Sequence, residues 1–115
     1  MALVSTCLFC KIIAGDIPAD IVSRDEDLVA FKDIDPQAPT HILITPTMHV
    51  ENAAQLAKTS PTTVAKLFLT ADHIATDMGL NGYRIVFNTG AEAGQSVLHA
   101  HLHLLGGRSL AWPPG

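Results

Sequence analysis

Gly94-Gln-Ser-Val-Leu-His-Ala-His-Leu-His-Leu-Leu-Gly-Gly107 is the stretch on which the reading of this chain turns. His99, His101 and His103 stand at alternate positions, with Ala100, Leu102 and Leu104 between and after them. A β-strand sends successive side chains to opposite faces. The spacing therefore predicts a strand with three imidazoles on one face and three apolar groups on the other. On a helix the same residues would fan out by about 200° per step and could not act together. The apolar face accounts for itself as core. The histidine face has two readings, a merely polar or metal-avid strand, or imidazoles set out for chemistry. A face that meets only solvent is cheaper to build from Thr, Lys or Glu.

At 115 residues the chain is long enough for one core and too short for two, so residues 1–115 are read as a single domain. Apolar residues make up 48 % and charged residues 16 %, which excludes a disordered chain. A net charge of −4 with no Lys/Arg cluster argues against a nucleic-acid surface. One phosphate is still within reach, because backbone N–H groups and histidines hold an anion without a basic surface. No run of 18 apolar residues is present, so no membrane span is expected. The start, Met1-Ala-Leu-Val-Ser-Thr-Cys7, carries no basic residue, so no secretory signal is expected. The two cysteines are then read as thiols or metal ligands in a reducing cytoplasm rather than as a disulfide.

Upstream of the histidines the chain alternates short elements. Cys7-Leu-Phe-Cys10-Lys-Ile-Ile-Ala14 reads as a short helix closed by Gly15. Its Cys-x-x-Cys pair is open to three readings: two ligands for one ion, a redox pair, or buried thiols with no further role. Ile21–Arg24 and Leu28–Ile34 read as a hairpin across an acidic turn, and Thr40–Thr45 as a third strand after the loop Asp35-Pro-Gln-Ala-Pro39. A short helix is expected over Ala53–Lys58. The long helix opens at Ser60-Pro61, with Ser60 as N-cap, and shows Val64, Leu67, Phe68, Ala71, Ile74, Ala75 and Met78 at spacings of three and four. Gly79 ends it, and His73 beside the stripe is read as a surface histidine. Tyr83–Asn88 is the fourth strand and the histidine segment the fifth. Connections this short predict an antiparallel sheet with the helices on one face, an α+β domain. The tail 108–115, with Trp112 and two prolines, is expected to pack on the body or on a partner chain.

The histidine segment resembles the histidine-triad (HIT) superfamily, whose signature is His-x-His-x-His with apolar residues between and after. Cys7–Pro18, Ala30–His41, Gly82–Asn88 and the final Trp-Pro-Pro-Gly are similar to its Hint branch, the nucleotide-binding phosphoramidases. The resemblance implies a five-stranded antiparallel sheet with one long and one short helix, and a homodimer joining two sheets, with the tail 108–115 near the active site or the dimer partner. It also implies hydrolysis of purine nucleoside 5′-phosphoramidates to AMP or GMP through a nucleotidyl-histidine.

Residue by residue, His101 matches the nucleophile, His99 and His103 its flanking catalytic histidines, and His41 a further histidine beside it. Ser96 matches the position near phosphate and leaving group. Asn88, Gly94, Gln95, Ser96, His101 and His103 match the phosphate contacts. Asp33 matches the ribose acid, Phe31 and Ile34 the base slot, and Ile12 its lid. Cys7, Cys10, His49 and His99 match a Cys2His2 zinc set, which with four protein ligands would be structural. Three rival functions stand beside this one: a HIT hydrolase of dinucleoside polyphosphates, a dimeric nucleotide-binding adaptor, and, weakest, a metal store.

Overall fold

The computed structural model describes residues 4–115. Five strands form one antiparallel sheet in the order β1-β2-β3-β5-β4. They are β1 (Ile21–Arg24), β2 (Leu28–Lys32), β3 (Thr40–Pro46), β4 (Tyr83–Val86) and β5 (Leu102–Gly106). The β1–β2 hairpin is closed by Asp25, whose Oδ1 accepts from the backbone N–H of Asp27 at 2.7 Å and of Leu28 at 2.8 Å. β5, which carries His103, lies between β3 and β4, so that histidine has ladder partners on both sides.

Alternation sorts the sheet into two cores. Leu28, Ala30, Ile42, Ile44, Leu102 and Leu104 face the helix α3 (Pro61–Asp77), which contributes Leu67, Ala71 and Ile74. The other face holds Val29, Phe31 and Leu43 against Phe9 and Ile12 of the helix α1 (Leu8–Ala14). The expectation of helices on one face is thus corrected, because β2 and β3 are apolar at nearly every position and need cover on both sides. A third helix, α2 (Ala53–Thr59), precedes α3, one more than the family pattern of one long and one short helix.

Two local expectations change. The β5 ladder begins at Leu102, so His99 and His101 precede it. The register pairs Ile42 with Leu104 and Ile44 with Leu102, which would next set Ala100 against Pro46. Proline has no N–H to give. The Thr45 hydroxyl donates to the Ala100 carbonyl instead, at 3.0 Å, and the Ala100 N–H turns to the carbonyl of Val50, at 2.8 Å. Side-chain alternation survives: Ala100 and Leu102 are core, while the imidazoles lie on the other side.

Ser60 does not cap α3 with its side chain. Its N–H closes α2 on Leu56, and its hydroxyl meets that of Thr63 at 2.7 Å. At the far end Gly79, at φ +68°, reverses the chain as expected, and Leu80 N–H returns to Ala75. His73 is exposed and lies 3.4 Å from Asp77, a surface histidine as read. No helix among the described residues is long and apolar enough to cross a membrane.

Candidate functional site

Leu43 on β3 is the centre of a cross-sheet row, with Phe31 on one side and His103 on the other. The row floors a cleft of about 310 Å3, walled by Phe9, Ile12, Asp33, Ser96 and His101 among others. Phe31 and Ile34 of the expected base slot line it too, Ile34 fully exposed at the rim. Asn88, Gly94 and Gln95 are not among its lining residues. Phe9 stands edge-on to both Phe31 and His101, at ring centroid distances of 5.4 and 4.8 Å. Nothing in the histidine segment points to Phe9; its spacing of three from Ile12 on α1 is the one local signal for it.

The imidazole tautomers follow from their neighbours. His101 Nδ1 lies 2.7 Å from the carbonyl of His99, which can only accept. Nδ1 therefore carries the proton, and Nε2 keeps a free lone pair. At His41 the order is reversed: the backbone N–H of Gln37 donates to Nδ1 at 3.1 Å, so the proton sits on Nε2. That Nε2–H points at His103 Nδ1, 2.9 Å away. His103 accepts there and must hold its own proton on Nε2. The Nε2 of His103 is buried and has no hydrogen-bond partner among the described residues. A bare lone pair on His101 thus stands beside an unanswered N–H on His103, the ring centroids 4.9 Å apart.

Burial keeps these rings neutral. Desolvation lowers the pKa of His101, against the opposing pull of its bond to the His99 carbonyl and of the Asp33 charge. His103 is pushed down to about 4, by desolvation first and then by His101 and His41. His41 is lowered by desolvation, partly offset by Asp33 and Asp35. The Asp33 carboxylate lies 3.5 Å from His41 Nε2, while its Oδ1 accepts from the Asp35 N–H at 2.8 Å.

Behind the cleft, Cys7, Cys10, His49 and His99 bring four donor atoms within 4.8 Å of one another. Cys10 Sγ lies 3.3 Å from His49 Nδ1, Cys7 Sγ lies 3.4 Å from His99 Nδ1, and the two Nδ1 atoms are 3.1 Å apart. A tetrahedral zinc with bonds of about 2.0 Å to nitrogen and about 2.3 Å to sulfur sets N···N near 3.3 Å and N···S near 3.5 Å. His99 Nε2 donates to the Pro46 carbonyl at 2.8 Å, leaving Nδ1 as a lone pair aimed into the cluster. Desolvation raises the Cys10 thiol, so taking up an ion releases its proton. Donor chemistry, burial and spacing fit a closed structural zinc centre. Such an ion stabilises the fold and leaves no open coordination position for substrate.

A HIT domain model matches residues 14–110. The chain belongs to the HIT family. It is 50 % identical over 109 residues to an uncharacterised HIT-like protein of Synechococcus elongatus, covering 94 % of this chain and 96 % of that one. It is 46 % identical over 115 residues to a 14 kDa zinc-binding protein of Zea mays, covering 96 % and 89 %. Among solved structures, a HIT family hydrolase from Legionella pneumophila superposes with a TM-score of 0.91 at 48 % identity, covering 95 % of this chain and 99 % of that one. The HIT fold expected from the histidine segment, an antiparallel five-stranded sheet with helices, is the fold observed.

The remaining expected residues fall into two groups. Ser96 is exposed at the cleft mouth. Gly94 and Gln95 shape the loop from within: Gly94 N–H bonds Ala91 O at 3.0 Å, and Gln95 N–H bonds Gly90 O at 3.1 Å. Asn88 lies two residues beyond β4. In the tail, Arg84 donates to Ala111 O at 2.9 Å, while Trp112 is 82 % exposed.

Proposed function

We propose that this HIT protein is a Hint-type hydrolase that cleaves the P–N bond of purine nucleoside 5′-phosphoramidates, releasing an amine and AMP or GMP. The observation that carries the reading is the complementary pair at the cleft, a lone pair on His101 Nε2 beside an N–H on His103 Nε2 that has no partner among the described residues. A nucleophile next to a donor is what attack on a phosphorus bearing a non-bridging oxygen requires.

His101 Nε2 forms a bond to the α-phosphorus as the P–N bond to the amine breaks. The amine leaves with one proton taken from solvent. The imidazole, now phosphorylated on Nε2 and cationic, keeps its Nδ1–H on the His99 carbonyl, which stabilises that charge. Water then adds to phosphorus, the N–P bond breaks, a proton is released and His101 returns neutral. His103 donates to a phosphoryl oxygen as negative charge builds there, and His41 holds its tautomer. Ser96 at the mouth serves phosphate or leaving group, while Gly94 and Gln95, whose N–H groups are bonded within the loop, shape it rather than touch the phosphate. Asp33 takes the ribose hydroxyls, and Phe31, Ile34 and Ile12 enclose the base. Cys7, Cys10, His49 and His99 would hold zinc outside these steps, where it would tie α1 to the histidine segment.

AMP release from adenosine 5′-phosphoramidate, with a diadenosine polyphosphate alongside, tests the reading on the wild type and His101→Ala. Fast cleavage of the phosphoramidate that the variant loses supports it. Faster cleavage of the polyphosphate moves the protein to the rival HIT hydrolase class. Equal, slow release by both proteins sinks the nucleophile and favours a nucleotide-binding adaptor.

A further inference from the structure

Gln95 is 7 % exposed, yet its amide is fully spoken for. Nε2 donates to the carbonyl of Glu51 at 2.7 Å and of Val97 at 3.1 Å, and Oε1 accepts from the N–H of Gly90 at 2.9 Å. The amide admits one orientation, because a flipped one would set oxygen against two carbonyls and NH2 against an N–H. Glutamate would place a carboxylate beside the same carbonyls, and methionine would leave three partly buried polar groups without their partner.

Those bonds join two places of different purpose. Gly90 and Val97 bracket the loop that presents Ser96 to the cleft. Glu51 ends the turn that carries the metal-ligating His49. The same turn holds Ala100 through the Val50 carbonyl, at 2.8 Å, between His99 and His101. We propose that Gln95 is a positioning residue that ties the cleft loop to the metal-bearing turn, so that filling the Cys2His2 cluster and binding a nucleotide monophosphate favour each other. The proposal rests on the nucleotide reading above. A bound ion draws both Nδ1 atoms and both sulfurs to one point, which biases the 49–51 turn that carries His49 toward this position. Gln95 passes that bias to the loop.

Linkage makes the effect reciprocal: zinc must tighten AMP by the factor by which AMP tightens zinc. The test is AMP affinity by calorimetry on zinc-loaded and chelator-stripped protein, with zinc affinity by chelator competition with and without saturating AMP. We expect each to strengthen the other about tenfold, within the usual range of coupled sites. In Gln95→Met, and in Gln95→Glu as the second variant, zinc still binds and the factor falls to about one. A merely structural role would lower thermal stability and leave the factor intact. Equal AMP affinity with and without zinc in the wild type overturns the proposal alone. So does a factor that persists in both variants. Absence of AMP binding in every form overturns the nucleotide reading and the proposal with it.

Discussion

His41 shows how much depends on where one proton sits. Its Nδ1 is claimed by the Gln37 N–H, so its Nε2–H is directed at His103 and fixes which nitrogen of that ring carries the proton. Replacing His41 with alanine frees His103 to turn its proton away from the phosphoryl oxygen. The loss of one hydrogen bond to a charged group is about 1.5–3 kcal/mol, so kcat/KM for the phosphoramidate should fall by roughly 10- to 150-fold. His41→Gln, which keeps a donor, should recover part of it. A wild-type rate in His41→Ala would show that His103 needs no such partner.

The pKa of His103 bears on stability. It is about 4 in the folded chain against 6.5 for an ordinary histidine, so the unfolded chain takes the proton first as pH falls. Stability is then full above pH 6.5 and is lost between 6.5 and about 4, at up to about 1.4 kcal/mol per pH unit. Urea midpoints at pH 7, 6 and 5 should decline more steeply for the wild type than for His103→Gln. Parallel declines would show that His103 contributes nothing to the slope.

At the level of elements, α1 has only seven residues, too few to hold together alone. It is fastened by Phe9 and Ile12 in the second core and by Cys7 and Cys10 at the metal cluster. Chelation should therefore release protection of the α1 amides in hydrogen exchange well before the β3 and β5 amides. Equal protection with and without zinc would mean that packing suffices. The helix caps make a second contrast. Asn52 Oδ1 accepts from Gln55 N–H at 2.9 Å, so Asn52→Ala should cost about 1 kcal/mol. Ser60→Ala should stay within about 0.5 kcal/mol, because that hydroxyl caps nothing. Ser60-Pro61 looks like a helix start in sequence because Ser and Pro favour those places, but a serine that also ends the preceding helix cannot orient its hydroxyl freely. The same limit explains which site residues were legible. Local alternation placed the imidazoles on one side and the leucines on the other. The role of Gln37, and of the Pro46 and His99 carbonyls in setting tautomers, depends on backbone groups that carry no letter of their own. Helix α1 was legible as a helix, but its side of the sheet depended on β2 and β3 being apolar on both faces.

On the scale of the whole molecule, the sheet formed by the described residues has two open edges, β1 and β4. An edge strand is a row of unpaired N–H and C=O groups that proteins cover or charge. Beside β4 the surface is aromatic: Phe68 of α3 is 45 % exposed and packs against Phe87 at 6.0 Å, and Tyr83 is 39 % exposed with its hydroxyl on Asp72. A second copy meeting β4 edge to edge would continue the hydrogen-bond ladder and cover these rings together. That arrangement is the expected homodimer of two joined sheets, and it would bring the exposed Trp112 tail of one copy toward the other. Sedimentation should then report twice the mass of a 12.2 kDa chain. Phe68→Glu places a charge in that contact and removes an aromatic side chain whose burial is worth about 1.5–3 kcal/mol, so the dissociation constant should rise on the order of a hundredfold. Cys7 and Cys10 of the zinc cluster sit with α1 on the opposite side of the sheet from α3, so Phe68→Glu should leave the cluster filled while the protein runs as a monomer. A variant that stays dimeric would move the contact to the β1 edge, and a monomeric wild type would show that each HIT domain works alone.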